Sequence, residues 1–220
     1  HVITDQIKML PTQTMIEFIV GKRSKGLADV QRGYTSKGDV LLELCNVAGT
    51  EKPNDVSLTI HRGEIVGLAG LLGSGRSSVA RLIAGLQPLV AGNIYFKGKK
   101  INFLHAGDSI KAGIAMVPES RATEGIIPDH SVASNMTLAI LDRISRRGLI
   151  NNAEVNIVTD NQIERLGIKT ASKNHTVSTL SGGNQQKVVI GKWLATDPEV
   201  FVLDEPTAGI DVGSKSEIIG

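Results

Sequence analysis

Three stretches of the chain carry residues whose types and spacing bear on chemistry. The first reads Gly70-Leu71-Leu72-Gly73-Ser74-Gly75-Arg76-Ser77-Ser78. It fits the pattern G-x-x-x-x-G-K-[ST] at every fixed position except one, where Arg76 replaces lysine. Glycines let successive backbone N–H groups curl around phosphate oxygens, and a following helix aims its positive end at them. These nine residues are therefore expected to hold the phosphates of a nucleotide, with Ser77 a ligand of Mg²⁺. Arg76 keeps the charge, but a guanidinium is a broad planar fork where an ammonium is a compact point. The bland alternative, a glycine-rich turn without a ligand, fits less well with a strand pattern before the loop and a helix pattern after it.

The second stretch, Val200-Phe201-Val202-Leu203-Asp204-Glu205, is an apolar strand ending in two acids. A buried strand beside the phosphate loop puts Asp204 where it serves Mg²⁺ and Glu205 where it polarises an attacking water. An ordinary strand with an acidic turn would look the same in isolation. With the loop upstream, the pair says P-loop nucleotide hydrolase. The third stretch is Leu180-Ser181-Gly182-Gly183-Asn184-Gln185-Gln186-Lys187. Here Ser181 is expected to cap a helix whose N-terminus is bare of side chains at Gly182 and Gly183, so that a phosphate can approach closely.

The elements that must position these residues follow from periodicity. Val40–Val47 and Val56–Ile60 alternate as strands, and His61-Arg62-Gly63 supplies a turn. Glu64–Ala69 reads as a short apolar strand running into the loop, and Ser77–Leu86 as a helix with Val79, Leu82, Ile83 and Leu86 on one face. Asn93–Phe96 and Ile114–Val117 are further strands. Spacing from Ser131 to Gly167 is mostly helical, broken near Arg146-Arg147-Gly148, and Gly182–Leu194 is another helix. Strands alternating with helices imply an α/β fold, with a mostly helical insertion between the catalytic stretches. Residues 1–37 read as a separate segment, with Thr14 and Glu17 spaced as a capping box and Gly21–Gly26 as a basic linker.

Composition narrows the partners. A net charge of +2, from 24 basic and 22 acidic residues, gives no drive toward nucleic acid or an anionic membrane. No apolar run approaches the roughly 20 residues needed to cross a bilayer, and the N-terminus lacks the succession of a signal peptide. A soluble protein is expected, with any membrane role exercised through a partner. The single cysteine, Cys45, excludes an internal disulfide and reads as a buried structural thiol in the run Leu41–Cys45.

The Leu180–Lys187 stretch, with Ser181 placed 23 residues before Asp204, resembles the signature sequence of ABC-type ATPases. Pro206-Thr207-Ala208-Gly209-Ile210-Asp211 is similar to that family's D-loop, which bridges two ATP sites. The resemblance covers Val40 to Gly220. It implies a P-loop NTPase (RecA-like) α/β core with an antiparallel β subdomain and a helical subdomain at about residues 120–180. It further implies ATP and Mg²⁺ as cofactors, a head-to-tail dimer with a companion nucleotide-binding domain, and contact of Ser181, Gly182, Gly183 and Gln185 with a phosphate held by that companion. Metal contacts fall to Ser77, Glu119 and Asp204, and catalysis to Glu205.

Within the family, the loop around Arg76, the Asn184-Gln185-Gln186-Lys187 ending and Asp211-Val212-Gly213 look like the second ATPase half of ribose-, xylose- and galactose-type importers. So do Val117-Pro118-Glu119-Ser120-Arg121, Gly125 and Ser131–Met136. That resemblance makes residues 1–37 the tail of a preceding domain plus a linker, and residues 38–220 a C-terminally incomplete cassette. It implies transmembrane permease subunits as partners, contacted through Glu119–Asn135, and a peripheral position on the cytoplasmic face of the inner membrane. No direct sugar binding and no nucleic acid are expected. Three departures weaken the site at this chain's own loop. Arg76 replaces lysine, Glu119 replaces the usual glutamine, and Val47–Asp55 contains no aromatic to stack on adenine. None of the five histidines fits the family's switch position, and His61, His105, His130 and His175 read as surface or turn residues. Two functions follow as expectations: a catalytic importer subunit, and a nucleotide-binding regulatory half with little hydrolysis of its own. A soluble ABC ATPase of DNA repair or translation is disfavoured by the charge. A P-loop kinase has no use for the signature.

Overall fold

A computed structural model describes residues 38–211 together with Lys215 and Ile218. The capping box and linker expected within residues 1–37 lie outside these residues. The chain first forms β1 (Val40–Ala48) and β2 (Val56–His61), which later pair with β3 (Ala91–Phe96) and β4 (Lys99–Ile101). Together they make a four-stranded antiparallel sheet of order β2-β1-β3-β4. In β1, Leu42, Leu44 and Val47 are fully buried, whereas Glu43 and Cys45 share the opposite, half-covered face. The expectation of a buried thiol is thereby corrected. The pleat sends Cys45 to the side of Glu43, away from the core.

Helix α1 (Arg76–Ile83) buries Val79, Leu82 and Ile83 in a cluster with this sheet, and Ala80 in a second cluster with Met116 and Val202. It ends where Gly85 adopts a left-handed φ of 67°. Helix α2 (Ala106–Ala112), which the sequence pattern does not reveal, leads into β5 (Ile114–Val117), buried at every position. Strand β5 pairs in parallel with β8 (Val200–Leu203). One apolar cluster joins Leu42, Leu44, Val79, Ile83, Ile94, Ile114 and Val200, so sheet, α1 and parallel pair share a core. Glu199, just before β8, ties the two sheets: its carboxylate accepts from Lys97 Nζ and, at 3.0 Å, from Arg62 Nη2. The Lys97 hydrogen bond, reinforced by Arg62, holds this exposed carboxyl below the usual carboxylate range.

The insertion is mostly helical, as its spacing implies. It comprises α3 (Val132–Thr137), α4 (Leu141–Ile144) and α5 (Asn152–Leu166). The break expected near Arg146 is a tight hairpin of β6 (Ser145–Arg146) and β7 (Leu149–Ile150). Positive φ at Arg147 and Gly148 makes its turn. Helix α6 (Gly182–Leu194) packs on α3 and α5 around Val132, Met136, Ile168, Val177 and Val188. At the crossing, a Cβ on Gly191 would stand 2.5 Å from Met136 Sδ, so only glycine lets the helices approach this closely.

One expected strand is absent. Glu64–Ala69 forms no ladder, and Ile65 and Leu68 are exposed. A strand requires a hydrogen-bonded neighbour. Between this segment and β8 there is instead a cleft of about 730 Å³ lined by Leu58, Ile60, Ile65, Val66 and Leu203, with Arg76, Asp204 and Glu205 also on its wall.

Candidate functional site

The phosphate-loop residues sit where the chain turns into α1. Gly73 and Gly75 take φ of 75° and 96°, left-handed conformations that L side chains resist, and the helix begins at Arg76. Ser74 N donates to Leu71 O at 3.0 Å, closing the turn. Leu71 and Leu72 project into solvent, at 85% and 98% exposed, so the core does not fix the loop. Lys52, from the β1–β2 connection, donates its Nζ to the Gly73 carbonyl, a contact the motif does not announce. No side chain caps α1, which leaves the first-turn N–H groups open to an anion.

Parallel pairing of β5 and β8 sets Val117 opposite Leu203, so Glu119 and the Asp204-Glu205 pair leave the same end of both strands. Asp204 is 7% exposed, and its Oδ1 accepts from Ser77 Oγ at 3.0 Å. Its Oδ2 is buried without a partner among the described residues. A buried carboxylate oxygen left unpaired is costly unless something else satisfies it. A hydrated Mg²⁺ at Ser77 would do so, and the oxygen-only donors suit that ion. Among the described residues no cluster of three or more acidic, histidine or cysteine side chains could hold a metal, so phosphate oxygens would have to complete the shell. Glu119 is exposed.

Glu205 has φ 44°, a sparsely populated backbone conformation of the kind that gathers at functional sites. Its Oε1 accepts from Arg76 Nη2 at 3.2 Å. The residue that departs from the phosphate-loop pattern is therefore paired with the acid expected to act on water.

The signature stretch lies on the other core. Ser181 is the residue before α6, but its hydroxyl makes no cap; Asn184 Nδ2 donates to its Oγ at 2.8 Å. The expected cap is thus replaced by a side-chain pair. Gln185 Nε2 donates to Leu180 O at 3.0 Å, Gly182 is half-buried and Gly183 is buried. Nor is the glycine face bare. A Cβ on Gly182 would lie 2.8 Å from Arg121 Nη2, so a guanidinium covers it. Among the described residues no hydrogen bond or ion pair joins Gly70–Ser78 to Ser181–Gln185. The structure brings Ser77, Asp204, Arg76 and Glu205 together and leaves the signature apart.

Sequence reasoning missed what surrounds Glu119. After it, residues Arg121–Gly125 form a single π-helical turn. Glu124 accepts from Arg81 Nη2 at 2.8 and 3.0 Å, and Lys192 donates to Gly125 O at 2.6 Å. Burial pushes the Lys192 ammonium down to about 8. A lysine in an amphipathic helix reads as a solvent-facing charge, and only its place between Gly125 and the Trp193 ring reveals otherwise. Beside Glu124 an apolar cavity of about 200 Å³ is lined by Ala84, Ile110, Met116, Pro118 and Trp193.

Comparison with known proteins bears on the whole arrangement. The family described as ABC transporter matches residues 53–208. The chain is 39% identical over 226 residues to a xylose import ATP-binding protein of Brucella abortus (strain 2308), covering 99% of this chain and 44% of that protein. It is 39% identical over 219 residues to a ribose import ATP-binding protein of Rhizobium johnstonii, covering 98% and 42%. The chain therefore spans less than half the length of these curated relatives. Among solved structures, a dimeric ATP-binding cassette in a post-hydrolysis state bound to ADP and Pi superposes with a TM-score of 0.69 at 27% identity, covering 81% of this chain and 79% of that one. A nucleotide-free cassette from an ABC transporter, at 21% identity and a TM-score of 0.70, shares the fold.

Proposed function

The chain belongs to the ABC transporter family, and on that premise we propose that it is the ATP-binding and ATP-hydrolysing part of an importer for a monosaccharide. The observation that carries this reading is the Ser77–Asp204 hydrogen bond at 3.0 Å, with the second oxygen of Asp204 buried and unpartnered. In this reading the N–H groups of Gly70–Ser78 and the Arg76 charge hold the ATP phosphates, while Ser77 and Asp204, with Glu119, hold Mg²⁺. When bound, that ion neutralises phosphate charge and orients the terminal group. Glu205 orients and deprotonates the attacking water. Ser181, Gly182, Gly183 and Gln185 serve a phosphate on a companion domain in a head-to-tail dimer. Their separation from this chain's own loop supports such a shared site.

Residues 38–220 are read as the cassette, and residues 1–37 as the tail of a preceding domain with its linker. Transmembrane permease subunits bind near Glu119–Asn135, a surface beside which the apolar cavity opens. No helix of the described residues is long and apolar enough to cross a membrane. Membrane attachment at the cytoplasmic face is accordingly assigned to the permease. Sugar and nucleic acid are not ligands of this chain.

Phosphate release from Mg-ATP tests the reading. Turnover that falls at least about 100-fold in Glu205→Gln, the scale of a lost general base, is the expected result. Release unchanged in that variant refutes catalysis at this site. A second reading, a nucleotide-holding half that hydrolyses slowly, is favoured by the Arg76–Glu205 ion pair at 3.2 Å. A guanidinium on Glu205 competes with the water that the carboxylate must bind. If that competition limits the rate, Arg76→Lys raises release while leaving ATP affinity nearly unchanged.

A further inference from the structure

The turn that follows Glu119 touches α1, α6 and the loop after Glu205, and Arg121 makes its contacts to the start of α6 and to that loop. Its Nε donates to Gln185 Oε1 at 3.5 Å, in the first turn of α6. Its Nη1 donates to Ala208 O at 3.3 Å and its Nη2 to Gly209 O at 3.4 Å, both in the loop after Glu205. The same guanidinium lies over Gly182, where a Cβ would stand 2.8 Å from Nη2, and beside Gly209, where one would stand 3.4 Å from Nη1. Two further ties root the turn: Glu124 accepts from Arg81 of α1 at 2.8 Å, and Gly125 O accepts from Lys192 of α6 at 2.6 Å.

A guanidinium suits this place because its donors form a rigid fork that reaches acceptors on two segments at once, which a lysine ammonium on a flexible stem does not. None of its three acceptors is ionised. Each bond is long, so no single one dominates and the hold comes from the set. We infer that Arg121 is a positioning residue that fastens the first turn of α6 and the 206–209 loop to the turn after Glu119, so that these segments move as one body. The inference rests on the proposed function only for what those segments face; the fastening itself rests on the contacts above.

Amide hydrogen exchange on the chain and on Arg121→Ala and Arg121→Lys tests it, together with steady-state kinetics on Mg-ATP. Exchange across 182–186 and 205–210 is expected to quicken about tenfold in both variants, with the β1 and α1 amides unchanged. Turnover falls with KM for Mg-ATP held within about twofold, because the phosphate loop keeps its own contacts. Gly182→Ala, which displaces the guanidinium without removing it, reproduces the local exchange change if Arg121→Ala folds poorly. Unchanged exchange in both segments, or an equal rise throughout the chain, overturns the inference. Local quickening in the variants, with a parent chain that binds no ATP, sinks the proposed function and leaves the fastening intact.

Discussion

Asp204 concentrates the residue-scale argument. One oxygen accepts from Ser77 and the other is buried without a partner among the described residues, an arrangement that costs stability unless a cation or its water completes it. Replacing Asp204 with asparagine relieves an unpaired buried charge, so the ligand-free chain is expected to gain stability or hold even in denaturant titrations, while Mg²⁺-dependent ATP binding weakens at least tenfold. A marked loss of stability without nucleotide would show that the charge has another partner. Lys192 offers a pH test. Its ammonium is pushed down to about 8 by burial, whereas the unfolded side chain titrates near 10.5. Between those values the unfolded chain binds more protons than the folded one, so the folded state gains as pH rises, by at most about 1.4 kcal/mol per pH unit. Below about 8 both states are charged and the cost of burying the ammonium is present in full. The parent should therefore gain stability relative to Lys192→Met from pH 8 to 10; a constant difference would refute the burial. Sequence spacing singled out Ser77, Asp204 and Glu205 as candidates, because phosphate loops and acid-ended strands are local patterns, and the structure sets Ser77 against Asp204. Arg121 and Lys192 stayed hidden because their hydrogen-bond partners stand 64 to 88 positions away in the chain.

Among the elements, those with one strong period were legible. Helix α6 runs over Gly182–Leu194 and β8 over Val200–Leu203, as their patterns imply. Helix α2 escaped notice because seven residues with only one fully buried give almost no amphipathic signal. The Glu64–Ala69 strand failed for the opposite reason: its apolar pattern is clear, but pairing is a property of a neighbour, and no strand ladder forms along it among the described residues. The packing of α6 on α3 gives a prediction at this scale. Met136 is wholly buried and fills the space that Gly191 opens, so Met136→Ala should cost about 2–5 kcal/mol in chemical denaturation. A change under about 1 kcal/mol would mean that the helical cluster is not packed as described.

Across the whole molecule, two apolar cores carry the two groups of candidate site residues. The sheet core carries α1 and β8, which flank the Gly70–Ser78 loop and lead to Asp204 and Glu205, and the helical core carries the signature stretch. Between them runs the turn after Glu119, tied to α1 through Glu124 and to α6 through Gly125. That separation is why the proposed function needs a companion domain to bring a signature stretch to the Gly70–Ser78 loop. The claim that underlies the rest is that Gly70–Ser78 and Asp204 form a Mg²⁺-dependent ATP site. Calorimetric titration of the chain with ATP, in Mg²⁺ and then in excess EDTA, with Ser77→Ala alongside, tests it most directly. Saturable binding in Mg²⁺ is expected, weakening at least about tenfold (1.4 kcal/mol) on removing the ion or the hydroxyl. Equal affinity with and without Mg²⁺, or no binding at all, would contradict it.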